Sequence, residues 1–509
     1  MNASTIWDLL AAGSAEAAAI GAPGRPELTY HGLRQLAEST VSTLNALGIG
    51  RNDRVAIVLP NGPEMASAFA AIGAGATTAP LNPAYQAPEF DFYLRDLQAK
   101  ALLVEQGSSS PALDVAQALD IPILHLITTP DDPAGSFKIV PANGAGSTEP
   151  VAQGGLAAPD DIVLVLHTSG TTSRPKIVPL AHQNVCASAH NIRQTLALTG
   201  ADRCLNVMPL FHIHGLMAAV LSTLSAGASV FCSPGFNALQ FFAWLTESQA
   251  TWYTAVPTMH QAILDRAGRN PEALAEARLR FIRSSSASLP PSVFNELEQI
   301  FNVPVIEAYG MTEASHQMTS NPLPPRPRQP GTVGVPFGLE VAIMDPAGEL
   351  LPGGSIGEIV IRGPNVTAGY ENNPTANADG FTNGWFRTGD QGMLDEAGYL
   401  TIKGRLKEII NRGGEKISPR EVDEVLLAHP TVAQAVTFAM PHPKLGEEVA
   451  AAVVLRQGTE ASERELRDFV RERVANFKVP RTILIVVEIP KGPTGKLQRI
   501  GLAEKLGLT

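Results

Sequence analysis

Between residues 54 and 308, short apolar runs alternate with longer segments of helical spacing. This alternation restricts the fold more than any other feature of the chain. Arg54-Val-Ala-Ile-Val-Leu-Pro60, Ala101–Val104 and Ile121–Ile127 read as strands, and Pro63–Ala74 reads as a helix. After residue 160 the pattern resumes, with strands expected at 161–167, 203–207, 228–232, 251–255, 279–283 and 304–308. Helices fill the gaps, for example 181–197 and 292–301. Strand and helix in turn give an α/β fold with a mostly parallel sheet. A chain of 509 residues is too long for one core, so two or more domains are expected. Residues 1–50 read as helical, on Leu33, Leu36, Val41, Leu44 and Leu47. Residues 129–160, rich in Pro, Gly, Ala, Asp and Ser, read as a surface connector between two α/β subdomains. No internal repeat is found.

From about residue 331 the character changes. Val341–Met344, Glu358–Arg362 and Tyr399–Ile402 are short strands bounded by Gly, Pro and Asp, which suggests an antiparallel, barrel-like subdomain at about 331–403. A small α+β domain follows. It has a helix at Ser418–Ala428 opened by Ser-Pro, strands at 433–438 and 449–455, a helix at 463–474 and a strand at 482–487. The expected division is a large N-terminal domain at 1–404 and a small C-terminal domain at 405–509.

Apolar residues make up 44% of the chain and charged residues 17%, ordinary for a globular protein. The net charge of −11 disfavours nonspecific binding to nucleic acid or an anionic membrane. Any anionic substrate must therefore meet positive groups gathered locally. Cys186, Cys204 and Cys232 form no CxxC pair, so reduced thiols and no zinc site are expected. The N-terminus lacks the basic and apolar pattern of a signal peptide, and no run approaches the ~18 apolar residues of a membrane span. The final Gly-Leu-Thr is not the peroxisomal tripeptide. A cytoplasmic enzyme is expected.

Thr168-Ser169-Gly170-Thr171-Thr172-Ser173-Arg174-Pro175-Lys176 follows the apolar run 161–167. Small residues let backbone N–H groups close on an anion, hydroxyls add donors, and Lys176 adds a point charge. A flexible linker would seldom join hydroxyls, Gly and a closing Pro-Lys directly to an apolar strand. A strand, this loop and the helix from 181 together read as a phosphate cradle. It is not a P-loop, because the terminal Gly-Lys-Ser/Thr is absent. Two strand ends carry further polar clusters, Arg283–Ser288 and Tyr309–His316. Ligands of open α/β sheets bind at such ends.

TSGTTSRPK at 168–176, YGMTE at 309–313, WFRTGD at 385–390, GRLKEIINRGGEKI at 404–417 and PTGK at 493–496 occur in order. Together they resemble the adenylate-forming acyl-activating superfamily of acyl-CoA synthetases, aryl-CoA ligases, adenylation domains and luciferases. The resemblance implies two half-reactions: a carboxylate attacks the α-phosphate of ATP, then a thiol, usually of coenzyme A, displaces AMP. It places ATP or AMP against Thr168, Ser169, Gly170, Thr171, Thr172, Lys176, Glu307, Ala308, Tyr309, Thr312, Asp390, Arg405, Lys407 and Lys496. Tyr309 would stack on adenine, Thr312 would touch the α-phosphate, and Asp390 and Arg405 would bind the ribose. Glu313 would hold Mg2+. Lys496, on a mobile C-terminal domain, would bridge carboxylate and α-phosphate, and Lys407 matches the hinge about which that domain turns. Gly413 and Gly414 would face the pantetheine channel. His212 matches a pocket-gating position, and His214 is a second candidate; either could instead be a satisfied core histidine. Small-molecule partners are implied, with no nucleic acid and no membrane.

Two features bear on the acid. Ser173 and Ile177 stand where Gly is usual, the latter read as neutral at a loop exit. His316 and Ser286 would put donors into a pocket that fatty or aryl enzymes line with small or apolar groups. Buried donors disfavour an apolar tail and suit a short acid with a second carboxylate. FIRSSSASL, TEASHQMTSNPLP, IRGPNVTAGY and INRGGEKISPREVD resemble the oxalate–CoA ligases of plants and fungi. That resemblance gives the distal carboxylate to His316, Ser286 and one of His212 or His214. Arg283 could help, or could be a strand-end surface charge. Competing readings are a CoA ligase for another small acid such as malonate, an enzyme loading a carrier-protein thiol, and a non-catalytic nucleotide-binding protein.

Overall fold

The computed structural model describes residues 3–129, 131–142, 151–168, 175–490 and 497–508. Two compact units form. The first takes in Met1–Thr168, Lys176–Glu340 and Arg362–Gly380; the second takes in Val341–Ile361 and Phe381–Thr509.

The first unit holds two sheets. One has seven strands in the order Lys138–Pro141, Ile123–Ile127, Ala101–Glu105, Arg54–Val58, Thr77–Pro80, Ile162–Thr168, Lys176–Ala181. Its inner pairings are parallel and its outermost ones antiparallel. The other has nine, running from Val335–Pro336 through His316–Ser320, Val305–Met311, Phe281–Ser284, Trp252–Ala255, Arg203–Asn206, Ser229–Cys232 and Ala18–Gly21 to Leu28–Thr29. Parallel strands are covered on both faces by crossover helices, which leaves them no solvent-facing side. Thr77–Pro80, Ser229–Cys232 and Trp252–Ala255 are accordingly buried at every position.

Several sequence expectations need correction. Residues 1–50 are helical only at Ile6–Leu9 and Tyr30–Ala46; between these helices lies an antiparallel strand pair, Ala18–Gly21 with Leu28–Thr29, added to the nine-stranded sheet. The stretch 129–160 is not all connector, because Lys138–Pro141 is an edge strand. Thr77–Pro80 went unread: its Thr-Thr-Ala-Pro has no apolar signature, although Thr77 and Thr78 satisfy their hydroxyls on the carbonyls of Ile162 and Val163. A strand, Lys176–Ala181, intervenes between the 168–176 motif and the helix His182–Thr195, and it pairs antiparallel with Ile162–Thr168. The motif therefore joins a hairpin rather than opening a helix. Ile177 is not at a loop exit. It sits opposite His167 in the ladder and packs in the core with Phe90, Tyr93 and Val165. A β-branched apolar side chain suits that place better than glycine.

One reversal positions the functional region. Val305–Met311 runs parallel to Phe281–Ser284, turns through a short 3-10 segment at Thr312–Ala314, and returns as the antiparallel strand His316–Ser320. The register slips between Tyr309 and Gly310. A Cβ on Gly310 would lie 1.6 Å from the His316 carbonyl oxygen, so only glycine permits the crossing. Ser315 and His316 take φ of +48° and +94°, which non-glycine residues adopt only where the surroundings impose it.

The second unit contains an antiparallel ladder in which Trp385–Leu394 pairs with Gly357–Arg362, Phe381–Thr382 and Leu400–Arg405. It also contains a five-stranded sheet built on the long hairpin Val432–His442 with Gly446–Leu455. The helix Pro419–Leu427 begins after Ser418 with Pro at its first position, as its sequence predicts. No helix among the described residues is long and apolar enough to cross a membrane.

The crossing at Gly310 yields a direct test. Gly310→Ala must displace backbone and should cost about 3 kcal/mol or more of unfolding free energy. Gly268→Ala adds its methyl in open space at φ −63° and should stay within about 0.5 kcal/mol of the parent. Denaturant titration of both variants measures the difference.

Candidate active site

Side chains from separate segments of the first unit meet beside Lys176. Thr168 ends its strand opposite Lys176 across the hairpin. Ser169, Gly170, Thr171 and Thr172 lie outside the described residues. Lys176 Nζ stands 4.4 Å from the centre of the Tyr370 ring, a cation–π contact. The Tyr370 hydroxyl donates to Glu313 Oε1 at 2.9 Å, and the Glu313 carbonyl accepts from the Thr367 N–H at 2.8 Å. Glu313 is only 6% exposed, held by the turn that follows Met311. Thr312 opens that turn, half-buried. Glu307, Ala308 and Tyr309 precede it on the strand, all buried. The backbone of Glu307 accepts from the Asn321 N–H, and that of Ala308 accepts from Ser285 Oγ. Lys176, Glu313 and Thr312 thus sit on elements that end together, with Tyr370 linking the first two.

The second cluster lies at the end of Phe281–Ser284. Arg283 is not a surface charge, because it is fully buried. Its Nη1 donates toward His214 Nε2 and Thr254 Oγ1, both at 3.4 Å. Its Nη2 donates to His316 Nε2 at 3.3 Å and to Gln317 Oε1 at 3.1 Å. No carboxylate among the described residues pairs with it, and its Nε has no partner there. Burial pushes its pKa down to about 9, which still leaves it a cation at neutral pH. The His214 and His316 rings stack with centroids 4.9 Å apart. His214 Nε2 lies 2.6 Å from Thr254 Oγ1, and Nδ1 lies 2.9 Å from Ser286 Oγ. Ser286 is exposed and takes φ +70°. The sequence candidates Ser286, His214 and His316 are therefore one constellation, with Arg283 beneath it. His214 opens a buried π-helical segment, His214–Leu221; such segments are rare and recur at functional sites. His212, half-buried, stacks obliquely on Phe211.

In the second unit, Asp390 and Arg405 are cross-strand neighbours, with Arg405 Nε 3.1 Å from Asp390 Oδ1. Asp390 is 5% exposed, and its backbone N–H donates to Thr388 Oγ1. Lys407 is exposed in a 3-10 turn, Leu406–Glu408. Gly413 and Gly414 form the two-residue turn of a hairpin, with φ of +59° and +101°. Two positive φ values are what a type I′ turn requires, so the turn alone accounts for both glycines. Lys496 lies outside the described residues.

Tyr370, Thr254 and Gln317 escaped the sequence reading. Tyr370 closes the IRGPNVTAGY segment and could have been weighed with it. Thr254 and Gln317 sit inside buried strands, where periodicity marks only burial. Gln317 bridges Arg283 to Thr195, its Nε2 donating to Thr195 Oγ1 at 3.0 Å.

Comparison with known proteins accords with this geometry. The family model described as AMP-binding enzyme matches residues 10–371, and that of the AMP-binding enzyme C-terminal domain matches 421–496. The chain is 48% identical over 486 residues to an oxalate–CoA ligase of Arabidopsis thaliana, covering 94% of each chain. It is 45% identical over 475 residues to an oxalate–CoA ligase of Saccharomyces cerevisiae, covering 89% of this chain and 87% of that one. The solved structure of ATP-bound MatB from Rhodopseudomonas palustris superposes with a TM-score of 0.87 at 29% identity over 99% of each chain. With its large N-terminal α/β sheets, its small C-terminal sheet and both family models matched in order, this chain belongs to the AMP-binding enzyme family.

Proposed function

We propose that this chain is an ATP-dependent acid–CoA ligase that converts oxalate to oxalyl-CoA through an oxalyl-adenylate, releasing AMP and pyrophosphate. The observation that carries the choice of acid is the Arg283 cluster. A buried guanidinium without a carboxylate partner favours an anion nearby, and Ser286, His214 and His316 surround it with groups that can donate hydrogen bonds. A short dicarboxylate satisfies both demands, and a hydrocarbon tail satisfies neither. The two oxalate–CoA ligases similar over most of this chain support the same acid.

In this reading the acid's reacting carboxylate needs no general base, being already ionised at neutral pH. The chain supplies position and charge instead. Thr168 to Thr172 and Lys176 hold the β- and γ-phosphates, and Thr312 contacts the α-phosphate. Tyr309, with Glu307 and Ala308, receives the adenine, and Asp390 with Arg405 receives the ribose. Ser286, His214 and His316 fix the distal carboxylate, and His212 gates the pocket. Glu313 fits a Mg2+ site. It is a buried hard oxygen donor with one oxygen already oriented by Tyr370, and Mg2+ is commonly held by one or two carboxylates plus substrate phosphates. Among the described residues no group of three or more His, Cys, Asp or Glu side chains could hold a metal alone, so such an ion would share its coordination with the nucleotide. The ion would neutralise phosphate charge. The domain division at 404/405, the hinge at Lys407, the approach of coenzyme A past Gly413 and Gly414, and the bridging role of Lys496 belong to the same proposal.

Pyrophosphate release over oxalate, malonate, acetate, hexanoate and coumarate tests the acid. Oxalate should exceed hexanoate in kcat/KM by about 10^4-fold, the discrimination expected of a site built from hydrogen-bonding groups. Turnover of hexanoate with none of oxalate would sink the polar-pocket reading, and a preference for malonate would replace oxalate with its longer relative. Thiol exchange with coenzyme A itself separates this reading from loading of a carrier protein.

The half-reactions test Lys496. Lys496→Ala should slow adenylation about 10^2- to 10^3-fold, the usual cost of one preorganised electrostatic contact. Thioester formation from supplied oxalyl-adenylate should stay within a few-fold of the parent. Undiminished adenylation in Lys496→Ala would remove the bridging role.

A further inference from the structure

We infer that Arg283 is a positioning residue which fixes the direction of a hydrogen-bond chain, so that Ser286, oriented by His214, and His316 present donors to the acid. This rests on the proposed function only in naming the acid as the recipient.

The direction follows from what a guanidinium can do. Arginine carries five N–H donors and no acceptor. Both of its contacts with histidine are to Nε2, at 3.4 Å for His214 and 3.3 Å for His316. Each Nε2 must therefore offer a lone pair. A ring whose Nε2 accepts is neutral and carries its proton on Nδ1. The second neighbour of His214 Nε2 is Thr254 Oγ1 at 2.6 Å. With that lone pair facing it, the threonine hydroxyl donates to Nε2, while its oxygen accepts from Arg283 Nη1. His214 Nδ1–H then donates to Ser286 Oγ at 2.9 Å. With its oxygen so engaged, the exposed serine turns its own hydroxyl proton outward. The chain Arg283 to Thr254 to His214 to Ser286 thus runs one way, from buried cation to open pocket, and bonds in such a chain polarise one another. His316 is set in parallel, with its ring proton on Nδ1.

The surroundings keep Arg283 to this task. Gln317 Oε1 accepts from Nη2, and the Gln317 amide is itself held by Thr195. Asn365 Nδ2 donates to the carbonyls of Ala314 and Gln317, tying down the strand that carries His316. A neutral residue at 283 would leave each imidazole to choose its tautomer. A His214 protonated on Nε2 would accept from Ser286 and turn the serine proton inward, exposing lone pairs to a carboxylate.

Long-range 1H–15N spectra of the full-length, 15N-histidine-labelled protein, without substrate at pH 7.5, read the tautomers directly. Assignments come from His214→Gln and His316→Gln. Both rings should show a protonated Nδ1 and a bare Nε2. Arg283→Gln should shift at least one ring toward Nε2–H, whereas Arg283→Lys, another donor-only cation, should preserve the pattern. In kinetics, Arg283→Gln should raise the KM for the acid about 10- to 100-fold, the effect of one lost charge-assisted hydrogen bond. The KM for ATP should change less than about 2-fold, and Arg283→Lys should recover most of the loss. If Arg283→Gln does not fold, Thr254→Val decides: with Arg283 still facing both Nε2 atoms, His214 and His316 should both keep Nδ1–H, and a switch of His214 to Nε2–H would overturn the inference. Nε2–H or imidazolium in the parent, or an unchanged spectrum in Arg283→Gln, would overturn the inference. Because the spectra are taken without substrate, the expected tautomers alongside an enzyme inactive on oxalate would refute the choice of acid and leave the positioning role standing.

Discussion

The burial of one positive charge, with no opposing carboxylate among the described residues, organises the candidate site. Taking a guanidinium out of water is costly, and proteins usually offset the cost with an ion pair. Among the described residues Arg283 meets only neutral acceptors: two imidazoles, a threonine hydroxyl and a glutamine oxygen. Each of these has to be held in place, since a buried cation tolerates little disorder among so few partners. The strand reversal after Tyr309, the left-handed backbone at Ser286, Ser315 and His316, and the π-helical start at His214 serve that requirement. Backbone strain of this kind survives only where the rest of the fold over-determines it. The two parallel sheets supply the rigid frame.

Glycine at 310 shows how the two halves of the site depend on one another. Its missing side chain lets Val305–Met311 and His316–Ser320 cross closely. The residues before the turn include Glu307, Ala308 and Tyr309, the turn holds Thr312 and Glu313, and the strand that follows begins with His316. A single tight reversal therefore carries the proposed nucleotide contacts and one proposed acid contact on the same few residues. Displacing the crossing by an ångström would move both sets together, which is a large error for groups that act by position.

Much of this was legible in the sequence, for identifiable reasons. The parallel strands were visible where burial on both faces leaves an unbroken apolar run, as at 101–104. Thr77–Pro80 was not, because its threonines are buried through side-chain hydrogen bonds to backbone, which hydropathy does not register. Ile177 looked like a loop departure because the motif was expected to lead into a helix; the intervening strand makes it a core residue. Ser286 and His316 were marked by their place at strand ends. Arg283 was left open because a charge at a strand end is commonly solvated, and only packing on all sides shows otherwise. Thr254 and Gln317 had no local signal, since their roles arise from strands distant in sequence.

The chemistry of the proposed substrate explains why such a cluster is needed. A fatty or aryl acid can be selected by burying its hydrocarbon, where each methylene contributes about 0.8 kcal/mol. Oxalate has no hydrocarbon to bury. Its two carboxylates are joined directly, so one is always close to the phosphates while the other is being recognised. Recognition must then rest on a second positive centre and on donors of fixed direction. A surface lysine would supply charge without direction, at the cost of ordering a flexible stem. A buried arginine acting through neutral histidines supplies both, because its charge is uncompensated and its planar donors dictate where each neighbouring proton sits. The same arrangement rejects an apolar acid, whose tail would leave those donors without partners.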